Sequence, residues 1–284
     1  MSSPTIGVVV GADRLSAGLV DDGRVVVRDR VATPVREVWR TLAALVERVL
    51  AATPENAQRP DRIGVSCCGP IDYRSGAASP AGIPAWNGFA LGPRLEELCG
   101  LPTQIDSSAG AVLNAQLDND RGAAAQAAES GMLLVLLDAG VDGATVVGGR
   151  RLRGHHGNAG AIGHVTVDPD GLACPCGARG CLYPYVSAPA LEAEINRPLQ
   201  RATPATIERA GIMFGRAISD LAAMVDVGRV AVGGGVTTTF GSGFLDAARR
   251  ELAARAPSAG TEVVPFDPAV PSIVAAAAVA DTAE

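Results

Sequence analysis

His164, Cys174, Cys176 and Cys181 fall within eighteen residues of one another. Three thiols and an imidazole suit Zn²⁺, which takes soft sulfur and nitrogen donors in a tetrahedral set. Gly177 and Gly180 stand between the last two thiols and let a short loop fold back, so that the sulfurs converge. The plainer reading is three buried cysteines and an unrelated histidine, but the tight spacing favours a metal knuckle. Four protein ligands leave no open position for substrate or water. The expected role of the cluster is therefore to fix local structure.

The chain around it has 284 residues, enough for two lobes that each bury a core. Apolar residues make up 48%, charged residues 19% and aromatic residues only 4%, so the cores must be built from Ala, Val and Leu. All 24 basic residues are arginine. Schiff-base chemistry on lysine and a lysine-dependent phosphate loop are thereby excluded. A net charge of −6 without a basic stripe argues against a nucleic-acid partner. The opening MSSPTIGVVVG lacks the segments of a secretory signal, and no apolar run has the length of a membrane span. Six cysteines with a metal set among them point to a reducing, cytoplasmic setting.

The elements that must position these groups follow from periodicity. Ile6 to Val10 reads as a buried strand closing on Gly11, with Ala17 to Val20 and Val25 to Arg28 joined by a turn at Asp21-Asp22-Gly23. Thr33 and Pro34 predict a helix start, with Val35, Val38, Leu42, Leu45, Val46 and Val49 as its apolar stripe. Ile63 to Ser66 and Pro102 to Asp106 read as strands, and Ala109 to Ala128 as one alanine-rich helix. The pattern then restarts. Leu133 to Leu137 is a strand closing on Asp138-Ala139-Gly140, and Ala144 to Val147 pairs back. Helices are expected from Pro204 to Val225 and from Asp246 to Ala256, with a strand at Arg229 to Val232 before Gly233-Gly234-Gly235. Two copies of strand, glycine turn and strand indicate a duplicated α/β architecture. The expected division is an N-terminal lobe over residues 1–108 and a C-terminal lobe over 109–270, with a helix at 271–284 packing back on the first.

Gly157-Asn158-Ala159-Gly160-Ala161-Ile162-Gly163-His164, the run from Cys174 to Leu182 and Gly233-Gly234-Gly235-Val236 together resemble the ROK family (repressor, open reading frame, kinase). Asp72, Gly76 and Ile83-Pro84-Ala85-Trp86 fit the same pattern, and the resemblance covers nearly the whole chain. It implies a two-lobed actin/hexokinase-like fold of the duplicated ribonuclease H type, a structural zinc knuckle and commonly a homodimer. Repressors of the family carry a DNA-binding domain before the first strand. Only five residues stand there, so the expected likeness is to the kinase branch.

The kinase motifs themselves depart from the family pattern. The Asp-x-Gly-Gly-Thr loop is matched by Val9-Val10-Gly11-Ala12-Asp13, and the Gly-Thr-Gly loop by Asp138-Ala139-Gly140, with Asp142 close behind. Asp138 and Asp142 put negative charge where a triphosphate would sit. The Glu-Asn-Asp triplet, whose last residue is the family's general base, is matched by Asp106, Ser107 and Ser108. A serine there needs a base of its own to take a proton. Three further family sugar contacts are matched by Ala161, Tyr183 and Gly82. ATP and Mg²⁺ are accordingly not expected as cofactors.

By the same resemblance the pocket should gather Asp106, Ser107, Ser108, His156, Tyr183 and Cys68. A histidine beside Ser108 or Asp106 would supply a general acid or base near neutral pH, although His155-His156 also reads as a surface pair in a glycine-rich loop. Cys67-Cys68 reads as a nucleophile or as small core packing, and Ser108 as a nucleophile or a helix cap. The main expectation is a pseudokinase that binds a small, sugar-like ligand. The alternatives are a repurposed enzyme using His156, Asp106, Ser108 and Tyr183, and an atypical ATP-dependent hexose or N-acetylhexosamine kinase.

Overall fold

Two apolar runs, Ile6 to Val10 closing on Gly11 and Leu133 to Leu137 closing on Asp138-Ala139-Gly140, sit at the centres of two five-stranded sheets. The computed structural model describes residues 3–55, 57–80, 82–255, 260–268 and 270–281. They divide into one unit of Met1–Asn119, Gly154–Asn158 and Ala269–Glu284, and a second of Asp120–Arg153 and Ala159–Pro268.

In the first unit β1 (Thr5–Val10), β2 (Arg14–Asp21) and β3 (Arg24–Ala32) form an antiparallel meander. Its two-residue turn at Asp22 and Gly23 has φ of 46° and 71°, the left-handed pair that matches strand twist. β4 (Arg62–Cys67) pairs parallel to β1, and after the β5 (Ile71–Asp72) and β6 (Ala77–Ala78) hairpin, β7 (Thr103–Ser107) pairs parallel to β4. The sheet order is β3-β2-β1-β4-β7. α1 (Val38–Ala51) buries Val38, Leu42, Leu45, Val46 and Val49. It does not start at Thr33. The Thr33 hydroxyl donates to the Gly11 carbonyl at 2.7 Å and its N–H to the Asp13 carbonyl at 3.0 Å, so Thr33 ties down the β1–β2 loop instead of capping a helix. Val35 is left 94% exposed. α2 (Leu91–Cys99), which periodicity did not reveal, and α3 (Ser108–Asn119) complete this part of the chain.

In the second unit α4 (Arg121–Ser130) follows at once, so the expected single helix is two. Asp120 is the cause: its carboxylate accepts from the N–H groups of Gly122 and Ala123, at 2.9 and 3.0 Å, and opens a new helix. β8 (Met132–Leu137), β9 (Val141–Val147) and β10 (Arg150–Leu152) repeat the meander. α5 (Tyr183–Val186), α6 (Ala188–Ile195), α7 (Pro204–Val225), β11 (Arg229–Gly233), α8 (Gly235–Arg255) and β12 (Glu262–Pro265) follow. β11 lies parallel to both β8 and β12, giving the order β10-β9-β8-β11-β12, the same topology as the first sheet. α8 starts well before Asp246 and kinks at Gly241, whose φ of 59° and ψ of −141° are not helical. Its expected last residue, Ala256, lies outside the described residues. Phe214 of α7 and Phe244 of α8, with ring centroids 5.3 Å apart, fill the core beneath the sheet.

α9 (Ser272–Ala278) returns to the first unit and lies on β1 and β4. The strands face it with glycines. A Cβ on Gly7 would sit 2.2 Å from the Ile273 carbonyl, and one on Gly64 2.0 Å from that of Ala276. The end of the expected helix, residues 282–284, lies outside the described residues. The first unit runs to Asn119 rather than 108, because α3 packs against α9, β4 and β7.

Candidate functional site

β4 and β7 run side by side and both end in polar residues, which brings Cys67-Cys68 next to Asp106-Ser107-Ser108. Asp106 is 1% exposed, and among the described residues it is the one buried carboxylate. A buried carboxylate needs donors. Asp106 Oδ1 accepts from Tyr73 Oη and from the Ser107 N–H, both at 2.6 Å, and Asn114 Nδ2 lies 3.5 Å from Oδ2. Ser107 Oγ accepts from the Gly110 N–H at 3.0 Å and so caps α3. Ser108 is not the cap. Its hydroxyl lies 3.8 Å from Cys68 Sγ and stays at the head of the helix.

Tyr73, which sequence reasoning did not single out, owes its position to the segment 154–158. Gly157 has φ of 79°, and a Cβ there would meet Tyr73 Cδ2 at 1.8 Å, so the ring lies directly on the glycine. Asn158 Oδ1 accepts from the Ile71 N–H at 3.1 Å and fixes the segment to β5. The His156 ring faces that of His155, with ring centroids 4.6 Å apart. Gly82 packs on the first loop, where a Cβ would lie 2.2 Å from Ala12 Cβ.

The second unit gathers its own group of polar residues. Asp138 follows β8, and its Oδ1 accepts from the Gly235 N–H at 2.5 Å at the start of α8. The carboxylate thus occupies a helix N-terminus, the position that suits an anion. Gly234 has φ of 100°, and a Cβ there would come within 2.4 Å of the Leu137 carbonyl, so this turn requires glycine. Tyr183 Oη donates to the Ala139 carbonyl at 3.3 Å and braces the same turn. Asp142, on β9, accepts from the Gly143 N–H.

The second unit also holds the His164 cluster. The four ligand atoms of His164, Cys174, Cys176 and Cys181 all lie within 4.8 Å of one another. Cys176 Sγ is 3.8 Å from Cys181 Sγ, and Cys174 Sγ is 3.9 Å from His164 Nδ1. A tetrahedral ion with metal–sulfur bonds of about 2.3 Å sets sulfurs about 3.8 Å apart, so the spacing fits one soft divalent cation. Burial and the adjoining thiols Cys174 and Cys176 push Cys181 up to about 12, and burial raises Cys174. Cys176 is lowered by hydrogen bonding, first from the Ala178 backbone. A cation at the centre would remove the penalty on the thiolates. Gly180 is required beneath them, because a Cβ there would strike the Asp168 carbonyl at 1.7 Å.

Comparison with known proteins defines the class. The ROK family model matches residues 5–273, and the chain belongs to the ROK family. It is 30% identical over 214 residues to a glucokinase of Streptomyces coelicolor, covering 74% of this chain and 63% of that protein. An N-acetylmannosamine kinase of Citrobacter koseri is 28% identical over 268 residues, 88% of each chain. Among solved structures, the ROK hexokinase of Thermus thermophilus superposes with a TM-score of 0.77 at 28% identity, covering 98% of both chains. The fold is thus the actin/hexokinase-like α/β fold of these enzymes.

These relatives overturn two expectations. The pseudokinase reading does not hold, since proteins named as kinases are similar over most of the chain. The exclusion of ATP and Mg²⁺ falls with it. Altered phosphate loops, a serine at the base position and changed sugar contacts do not by themselves exclude kinase chemistry. Phosphoryl transfer passes through a loose transition state in which positioning and charge stabilisation dominate, and a general base contributes only about 10²–10⁴-fold. Among the described residues no helix is long and apolar enough to cross a membrane.

Proposed function

We propose that this chain is an ATP-dependent kinase of a hexose or N-acetylhexosamine with an altered acceptor site. The observation that supports this reading is likeness to a hexokinase over 98% of both chains, together with a kinase of N-acetylmannosamine matched over 88%. Ser107 and Ser108, at the β7–α3 junction, offer short hydroxyls to the sugar. Asp106 lies beneath them and holds the turn through the Ser107 N–H. Asp138, at the start of α8, is the hard-oxygen group of the second unit that Mg²⁺ would meet. Mg-ATP, when bound, would supply the phosphoryl group, and its cation would offset the charge on the phosphates.

His164, Cys174, Cys176 and Cys181 form, in this reading, a closed zinc site that fixes the loop leading to α5. The reading includes a cytoplasmic homodimer, which light scattering tests. The decisive experiment measures ADP formed from Mg-ATP with a panel of hexoses and N-acetylhexosamines. ADP above background with one sugar, increased in Ser108→Asp, is the expected result. No ADP with any sugar, and no thermal shift with ATP, would sink the proposal.

A further inference from the structure

Residues outside the acceptor region also converge. In the first unit a cavity of about 630 Å³ is bounded by the β5–β6 hairpin and the segment 154–158, and neither Asp106 nor Ser108 lines it. That volume suits a small molecule of monosaccharide size. Its ionisable lining groups are Asp72, Arg74, His155 and His156.

The charge of this lining is divided between one acid and one guanidinium, and the two are bonded differently. Asp72, the one acid, is already satisfied by its own turn. Its Oδ2 accepts from Ser75 Oγ at 2.8 Å, and its Oδ1 from the N–H groups of Arg74 and Ser75 at 3.0 and 3.4 Å. Those bonds, led by the Ser75 hydroxyl, hold its carboxyl below the usual range. Donor capacity remains in the other polar groups. The Arg74 guanidinium has no carboxylate at ion-pair distance among the described residues, and its interaction with Asp72 is through charge alone. The rings of His155 and His156 face each other, edge to face. Ser79 Oγ accepts from the Gly88 N–H at 2.8 Å, which leaves its own proton to give. A planar guanidinium with two imidazoles and a hydroxyl calls for an acceptor-rich, negatively charged partner.

We propose that this cavity binds a monosaccharide-sized ligand bearing a phosphate or carboxylate group, held by Arg74, His155 and His156. Asp72 fixes the hairpin that presents Arg74, and Asn158 fixes the segment that presents the histidines through its bond to Ile71. This binding needs no turnover, so it stands or falls apart from the kinase reading.

The chain has three histidines, which makes their ring signals in NMR spectra assignable with His155→Gln and His156→Gln. Intact protein is titrated with inorganic phosphate, with glucuronate, and with glucose or sodium chloride as controls at matched ionic strength. Saturable movement of the His155 and His156 signals with one or both anions is expected, with His164 still. Phosphate alone acting would identify a phosphorylated ligand, and glucuronate alone an acidic sugar. Arg74→Ala should weaken the response about tenfold. An unchanged circular dichroism spectrum and melting temperature in that variant confirm that the fold is kept. Signals unmoved by both anions, moved equally by glucose or chloride, or equally responsive in Arg74→Ala would overturn the proposal.

Discussion

Tyr73 Oη donates to Asp106 Oδ1 at 2.6 Å, so a half-exposed phenol on a hairpin supports a carboxylate buried at a strand end. The Ser107 N–H shares the same oxygen, which links the phenol to the first turn of α3. Tyr73→Phe removes a donor from a buried charge, at a cost of about 1–3 kcal/mol. The expected outcome is a melting temperature lower by a few degrees and a fall in kcat with the sugar KM nearly unchanged, measured with the sugar that gives turnover. A rise in KM alone would show that Tyr73 serves binding and not the placement of the acceptor.

Gly157 controls the same pair from the other side. Gly157→Ala puts a methyl 1.8 Å from Tyr73 Cδ2 at a φ of 79°, so ring and segment cannot both stay in place. Its effect on kcat should match that of Tyr73→Phe, and the double variant should be no worse than the single ones. Additive losses in that cycle would separate the two residues.

What could be read from the chain, and what could not, divides by the range of the interactions. The apolar runs at Ile6 to Val10 and Leu133 to Leu137 carry the duplicated sheets, because a buried parallel strand leaves its mark in consecutive residues. The Cys and His spacing marks the convergent cluster for the same reason. Tyr73 left no such mark. Its role depends on contact with Asp106 and Gly157, which are distant in sequence, and a lone tyrosine in a polar hairpin carries no local signal. The start of α1 lies beyond Thr33 because the Thr33 hydroxyl donates to the Gly11 carbonyl, a partner distant in sequence.

Gly64 tests how the last helix holds the first sheet. Gly64→Ala would push a methyl to 2.0 Å from the Ala276 carbonyl, a backbone atom that cannot rotate away. Overpacking of this kind costs about 1–3 kcal/mol. Chemical denaturation should show a lower midpoint, and Gly23→Ala, with open space at its Cβ but a φ of 71°, should cost less. Equal losses would place α9 off the strand.

The cysteine cluster gives a prediction that does not depend on the substrate. If the four ligands hold zinc, metal analysis finds about one Zn²⁺ per chain. Cys176→Ser then loses metal and stability together, and a strong chelator lowers the melting temperature of the parent protein but not of the variant. Folded, stable protein that contains no metal would remove the zinc assignment.

Asp118, in the last turn of α3, supplies a pH dependence whose sign is fixed. Partial burial, and after it the nearby Asp281 carboxylate, raise its pKa above the ordinary value. The ionised form is therefore disfavoured in the folded chain. Its penalty is fully present above the raised folded pKa, and fades as pH falls through that value towards the unfolded one near about 4. Asp118→Asn removes the charge at every pH. The variant should melt above the parent protein at pH 7, and the two curves should converge as pH approaches 4. Thermal melts from pH 4 to 7 in a constant-ionic-strength buffer read this directly. A difference that stays constant across that range would assign the effect to packing, with the Asp118–Asp281 repulsion playing no part.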